Sequence, residues 1–102
     1  MSDKEDQLKR EFDRDMRNIL EREGELGLCS TRFRQMLNES DGWNVAKRLL
    51  SKGEPPSNTF TWLRKQGRLD LTMEFYVVDE KYRTIFTDDD RAVARFRLDR
   101  GD

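Results

Sequence analysis

The apolar residues near the start of the chain recur with the spacing of a helix. Between Asp3 and Glu23 they are separated by intervals of 4, 4, 3 and 1, at Leu8, Phe12, Met16, Ile19 and Leu20. Charged residues fill most of the other positions, so the segment has the single apolar face of an amphipathic helix. Gly24 is predicted to end this helix, because glycine is common just beyond a helix C-terminus.

Three shorter helices are predicted between residues 30 and 67. The residues that can cap the starts of these helices are Ser30 or Thr31, Asp41, and Ser57 or Asn58. Gly53 and Gly67 are predicted to end the second and the third of them. Pro55 and Pro56, which lie between Gly53 and Ser57, form the clearest loop, since proline cannot continue a helix. The inward faces are predicted to carry Phe33, Met36, Leu37, Trp43, Ala46, Leu49, Leu50, Phe60 and Leu63.

Residues 69–87 carry two conflicting patterns. Apolar and polar residues alternate from Leu69 to Val77, as in a strand, and residues 81–87 could complete a β-hairpin. Asp70, however, is a good helix N-cap, and residues 71, 75 and 78 also line one helical face. The intervening Asp79-Glu80 lacks the glycine or asparagine that tight hairpin turns favour. The local pattern leaves helix and hairpin open.

A last helix is predicted after Thr87, which can cap it. Its first turn is acidic, and Arg95 and Arg97 lie towards its end, an order that suits the helix dipole. Its buried side is predicted to carry Ala92, Val93, Phe96 and Leu98. One shared core is expected to contain Phe33, Leu49, Phe60, Trp62, Leu63 and Phe86.

The composition predicts one charged but folded domain. The chain has 102 residues, of which 40% are charged and 34% hydrophobic, and its 20 basic residues nearly balance its 21 acidic ones. The even charge removes the usual electrostatic argument for nucleic-acid binding by the whole domain. No apolar stretch is long enough to cross a membrane, and the charged start does not resemble a secretory signal. The single Cys29 allows no internal disulfide, so a cytoplasmic location is expected.

The chain contains no histidine, which narrows the chemistry open to it. Imidazole-based acid–base catalysis, histidine metal ligands and histidine-containing triads are all excluded. The acidic run 88–90 lacks the ligand spacing of a calcium loop and is interpreted as a helix start. Asp70 and Glu74 are interpreted as a cap and as a partner for Arg68 or another cation, and Cys29 as a packed thiol. We therefore expect no enzymatic activity, no cofactor and no metal.

The middle of the chain is locally basic, while the acidic residues concentrate at both ends. Such a segment, carried by short helices with tight turns, could contact nucleic acid, although an ordinary solvated surface explains it too. The residues that could contribute to a nucleic-acid or partner surface are Arg32, Arg34, Lys47, Arg48, Arg64, Lys65 and Arg68, together with Lys52.

Several short motifs resemble a widespread group of short, uncharacterised helical bacterial proteins. They cover the chain from about residue 30 to its end. The motifs are Phe33-Arg34-Gln35-Met36-Leu37-Asn38, Ala46-Lys47-Arg48-Leu49-Leu50, Phe60-Thr61-Trp62-Leu63, Gly67-Arg68-Leu69-Asp70-Leu71-Thr72-Met73-Glu74, Ile85-Phe86-Thr87, Ala94 and Arg97-Leu98. The resemblance implies a helix after Asp70, although Phe75-Tyr76-Val77-Val78 departs from the Ala and Leu of the group. It implies no activity and no functional residue.

The sequence therefore predicts an all-α, small orthogonal bundle of about five to six short helices in a single domain, residues 1–102. Residues 1–24 would form the amphipathic N-terminal helix and residues 30–98 the helical core that carries the resemblance. The expected function is a non-enzymatic interaction module in a bacterial cytoplasm, whose partner is another protein or a second copy. The alternative is a small nucleic-acid-binding accessory protein that uses the basic segment 30–68.

Overall fold

The computed structural model describes residues 3–28, 30–51 and 56–99. This part of the chain contains no β-strand, so the all-α prediction is confirmed and the hairpin alternative at 69–87 is wrong. Two 3-10 helices lie at Leu69–Leu71 and Glu80–Ile85. The α-helices are α1 (Asp3–Glu25), α2 (Thr31–Glu39), α3 (Gly42–Leu49), α4 (Asn58–Lys65), α5 (Met73–Val77) and α6 (Asp88–Asp99).

α1 continues past Gly24, where the sequence predicted its end. The helix is closed by Gly27, whose φ of 84° is the left-handed conformation that glycine adopts without a side-chain clash. The amide of Gly27 donates to the carbonyl of Gly24, and that of Leu28 donates to the carbonyl of Glu23. This is the Schellman arrangement, and Gly67 closes α4 in the same way, as predicted.

The ambiguous segment is helical but broken. Thr72 has an extended backbone (φ −107°, ψ 153°) and its hydroxyl caps α5 by accepting from the amide of Phe75. Asp70 is therefore not the cap that the sequence predicted, since it lies in the 3-10 helix and binds Arg68 instead. The segment in which apolar and polar residues alternate thus folds as two short helical turns, Leu69–Leu71 and Met73–Val77, with a change of direction at Thr72.

The core forms where α1 crosses the second half of the chain. Phe12 and Met16 are fully buried. The ring of Phe12 lies edge-on to Tyr82 and Phe86, with centroids 5.1 and 5.0 Å away, an arrangement that adds to the gain from burial alone. The Tyr82 hydroxyl donates to the Asp15 carboxylate, so the aromatic core also finds its polar partner on α1. α1 is thus part of the core.

The predicted core is only partly correct. Phe60, Leu63 and Phe86 are buried, whereas Phe33 and Leu49 are half-buried and pack against the core's edge. Trp62 is 38% exposed, so its prediction as a core residue is wrong. It lies two residues from Phe60 on a helix that covers the core with one face only, and at 100° per residue this turns it outwards.

The predicted buried face of α6 is only partly correct, since Val93 packs against the core. Thr87 caps the helix as expected, because its hydroxyl accepts from the amide of Asp90. Ala94 and Arg97 are buried instead of the predicted residues, while Phe96 is 61% exposed. Ala92 is exposed, and Val93 and Leu98 are half-buried. The face of α6 that packs inwards is therefore the one on which Arg97 meets the buried carboxylate of Glu74.

Candidate binding cleft

A cleft of about 490 Å³ opens between the C-terminal half of α1, α2, α4, α5 and the end of α6. We call it the central cleft. Its apolar lining consists of Ile19, Phe33, Met36, Leu49, Pro56, Phe60, Leu63 and Met73.

A chain of hydrogen bonds crosses one wall of the central cleft. The Ser30 hydroxyl donates to the Glu23 carboxylate over 2.7 Å and lies 3.2 Å from the Thr59 hydroxyl. Ser30 precedes α2, as predicted, but its side chain is used in the cleft and does not cap the helix. Asp41 and Ser57, by contrast, cap α3 and α4 as predicted. Burial raises the pKa of Glu23, and the Ser30 hydrogen bond only partly opposes that rise.

A buried ion pair lies beside this wall. Arg97 donates to the Glu74 carboxylate over 2.8 Å, and each side chain is only 6% exposed. Arg97 also donates to the carbonyl of Leu49, and its own carbonyl accepts from Arg64. One side chain therefore ties α6 to α3 and α5, and its backbone oxygen ties α6 to α4. The predicted cationic partner of Glu74 is thus present, and it is Arg97.

The fully buried polar side-chain atoms of the central cleft have hydrogen-bond partners within the chain. Across the described residues, no buried side-chain nitrogen or oxygen is without a hydrogen-bond partner. A small polar ligand is normally oriented by a few convergent polar groups that it satisfies. This cleft offers a ligand an apolar lining beside exposed polar side chains such as Ser57 and Asn58, together with a volume in the usual range of binding sites.

The basic residues that the sequence grouped together differ in exposure and in partners. Arg34, Arg48 and Lys65 are exposed, and Arg32 lies at the edge of the central cleft. The other predicted residues hold oxygens of their own chain: Lys47 binds Asp90 over 2.5 Å, Arg64 binds the carbonyl of Arg97, and Arg68 binds Asp70. Lys52 lies outside the described residues, as do Cys29 and Gly53.

The candidate carboxylates are engaged with cations. The Arg68 hydrogen bond lowers the pKa of Asp70. Burial would raise the pKa of Asp90, but hydrogen bonds from Lys47 and the Thr87 backbone outweigh it and lower that pKa. Within the described ranges no three carboxylates or thiols are placed to hold a metal ion.

The sequence reasoning missed a second surface, which we call the α1–α3 groove. It measures about 620 Å³ and its lining includes Lys9, Arg10, Arg14 and Arg17 of α1 beside Trp43 of α3. A helical wheel of α1 could have found the basic side of this groove, because positions 9, 10, 14 and 17 lie within 140° of one another at 100° per residue. The basic side chains of α1 were instead interpreted as its solvated face.

Comparison with protein-family models, with curated proteins and with solved structures found no match to this chain. Among the helices that the structure describes, none combines the length and apolarity needed to cross a bilayer.

Proposed function

We propose that this chain is a non-enzymatic interaction module whose central cleft holds an apolar side chain from a short segment of a partner protein. The observation that carries the proposal is the apolar lining of a cleft whose fully buried polar atoms are already paired. An occupant gains by burying apolar surface there. Apolar anchors that fill a pocket supply most of the affinity of protein interfaces.

Phe33 is the residue through which an occupant would make contact. It is half-buried, lines the central cleft, and leaves part of its ring accessible. Burying the remaining ring surface against a partner contributes a fraction of the roughly 1.5–3 kcal/mol of a fully buried aromatic side chain. The proposed setting is a bacterial cytoplasm, in keeping with the resemblance of residues 30–98 to short bacterial proteins.

Selection of a random-peptide phage library on the immobilised protein tests this function. We expect enriched peptides that share an apolar residue at one position. Phe33→Ser should weaken their binding by about tenfold, the equivalent of about 1.4 kcal/mol. Phe96→Ser is the matched control, because Phe96 is exposed and is not part of the cleft lining.

A second variant guards against loss of stability. Asn58 is exposed at the edge of the cleft, so Asn58→Trp would obstruct the cleft while leaving the core intact. We expect this variant to melt like the parent and to bind the selected peptides weakly. Peptides that bind both cleft variants as tightly as the parent would contradict the proposal, as would a library that yields no shared sequence.

The alternative function, nucleic-acid binding through the basic segment 30–68, has less support. Lys47, Arg64 and Arg68 are engaged with acceptors of their own chain, and phosphate contacts would compete with those interactions. The exposed cations among the predicted residues are Arg32, Arg34, Arg48 and Lys65. The variant Arg34→Glu/Lys65→Glu measures the contribution of two of them.

A further inference from the structure

We propose that the α1–α3 groove is a binding site for single-stranded nucleic acid, in which the cations of α1 contact the phosphates and Trp43 stacks on a base. The inference is independent of the central cleft. The two sites use opposite ends of α3, since Trp43 and Asn44 line the groove whereas Leu49 lines the cleft.

The cations lie along one edge of α1. From Lys9 to Arg14 the helix rises about 7.5 Å at about 1.5 Å per residue, enough to reach neighbouring phosphates of one strand. Arg17, about one turn further on, is held by the Asp13 carboxylate and by the carbonyls of Leu37 and Ser40. Arg10 and Arg14 are exposed and form no hydrogen bond or ion pair with any residue that the structure describes. Their guanidinium groups are therefore available to bind phosphate in the bidentate geometry that arginine favours.

The carboxylates of the groove are committed to holding the start of α3. Asp13 accepts from the Gly42 amide over 2.6 Å and from Arg17 over 2.9 Å. Asp41 accepts from the backbone and side chain of Asn44. The lining thus combines four cations with two carboxylates, a local excess of two positive charges in a chain whose net charge is −1.

Trp43 supplies the feature that favours nucleic acid over an acidic peptide. Its indole nitrogen donates to the carbonyl of Ile85 over 2.7 Å, which fixes the ring at the edge of the groove. The ammonium groups of Lys9 and Lys47 lie 4.0 and 5.6 Å from the centroid of this half-buried ring, so a base that stacks on it takes the place of Lys9. A basic groove that presents an aromatic ring is the usual design of single-strand binding sites, where bases stack on the ring.

The experiment uses the full chain with Trp62→Phe, which leaves Trp43 as the only tryptophan because the chain has two. The probe is an oligothymidylate of about twelve nucleotides, within the usual site size of such folds. At about 50 mM salt we expect saturable quenching of Trp43 fluorescence. Raising the salt to about 200 mM should weaken binding steeply, because bound cations release counterions from the strand.

Two charge-matched variants locate the site. Arg10→Glu/Arg14→Glu and Arg34→Glu/Lys65→Glu each change the net charge by −4, and all four residues are exposed. We expect the first variant to bind at least about tenfold more weakly and to lower the slope of log affinity against log salt by about 1.4, for two lost phosphate contacts. The second should bind nearly as well as the parent. Far-UV circular dichroism checks that both are folded.

Four results would overturn the inference. They are no binding at low salt, binding without quenching of Trp43, equal loss in the two charge variants, and equally tight binding of polyglutamate. The last would identify the groove as a site for acidic proteins. Loss of oligothymidylate binding leaves the peptide selection unaffected, so this inference and the proposed function fail separately.

Discussion

Gly42 lies where the start of α3 touches α1. A Cβ atom at this position would lie 2.8 Å from the Cα of Asp13, closer than such atoms approach in real proteins. The contact involves backbone, so it cannot be relieved by rotating a side chain. Glycine is required here by the closeness of two helices, since its φ is not positive.

We therefore expect Gly42→Ala to lower the free energy of unfolding by about 1–3 kcal/mol, the typical cost of overpacking. Gly24→Ala is the matched control, because Gly24 lies within α1 and a Cβ there meets nothing within 4 Å. This change should raise stability by about 0.5–1 kcal/mol through helix propensity. Urea denaturation of both variants measures the difference, and a stabilising Gly42→Ala would contradict the close approach of the helices.

Glu23 gives the molecule a pH dependence of opposite sign to that of its paired carboxylates. Burial raises its pKa in the folded state above the ordinary value of 4.5. Its contribution to stability is therefore fully present below the unfolded pKa and is lost as the pH rises through the folded pKa. Removing the charge should remove that loss.

The free energy of unfolding of Glu23→Gln should accordingly gain on the parent as the pH rises from about 4 to about 8. Ser30 can still donate to the glutamine carbonyl oxygen, so the hydrogen bond of the wall is conserved. Parallel urea titrations across that range measure the difference. A difference that shrinks with rising pH would show that ionised Glu23 stabilises the fold.

Among the contacts between helices, Arg97 fills a buried position that an apolar residue fills in most small bundles. It joins α6 to α5 through Glu74 and to α3 through the Leu49 carbonyl. Two buried charges offset their loss of hydration only when they meet. The sequence predicted Arg97 only as a cation towards the end of the last helix, where its charge suits the helix dipole.

We expect Arg97→Met to lower stability by about 3–5 kcal/mol, because it leaves Glu74 buried without its partner. The double variant Glu74→Leu/Arg97→Met should recover most of that loss, since no unpaired charge remains. Thermal and urea denaturation of the two variants decide the point. A double variant no more stable than Arg97→Met would contradict this account.

α4 offers a second test at this scale. Phe60→Ala should lower stability by about 3–5 kcal/mol, the usual cost of truncating a buried aromatic side chain. Trp62→Ala, on the same helix but exposed, should cost much less. Equal costs, measured by thermal melting, would show that α4 buries a different face.

For the whole molecule, the position of α1 decides how it unfolds. The molecule's radius of gyration of 13.0 Å matches the roughly 13 Å of a compact chain of 100 residues. Phe12 packs on Tyr82 and Phe86, which lie far along the chain. The core is therefore incomplete without α1.

We expect a single cooperative unfolding transition, in which the helix signal and the fluorescence of Trp43 and Trp62 change together with urea. Phe12→Ala should shift both signals to the same lower midpoint, through a loss of about 3–5 kcal/mol. A helix signal that falls before the fluorescence would show that α1 detaches first.

The sequence by itself determined what depends on local chemistry. The apolar interval of α1, the caps at Asp41, Ser57 and Thr87, and the glycine that ends α4 were all predicted correctly. A cap or a helical stripe needs only neighbours within one or two turns, and these are visible in the sequence. The absence of histidine limited the chemistry in the same direct way.

Only the tertiary structure decided which faces are buried and which charges are paired. Arg97 is inside and Phe96 outside because a carboxylate on another helix is within reach of Arg97, and Trp62 is 38% exposed because α4 turns that side away from the core. Thr72, not Asp70, begins α5 because the chain turns there towards the core. The central cleft and the α1–α3 groove each join residues from distant segments, and such proximity follows from packing, which no local pattern encodes.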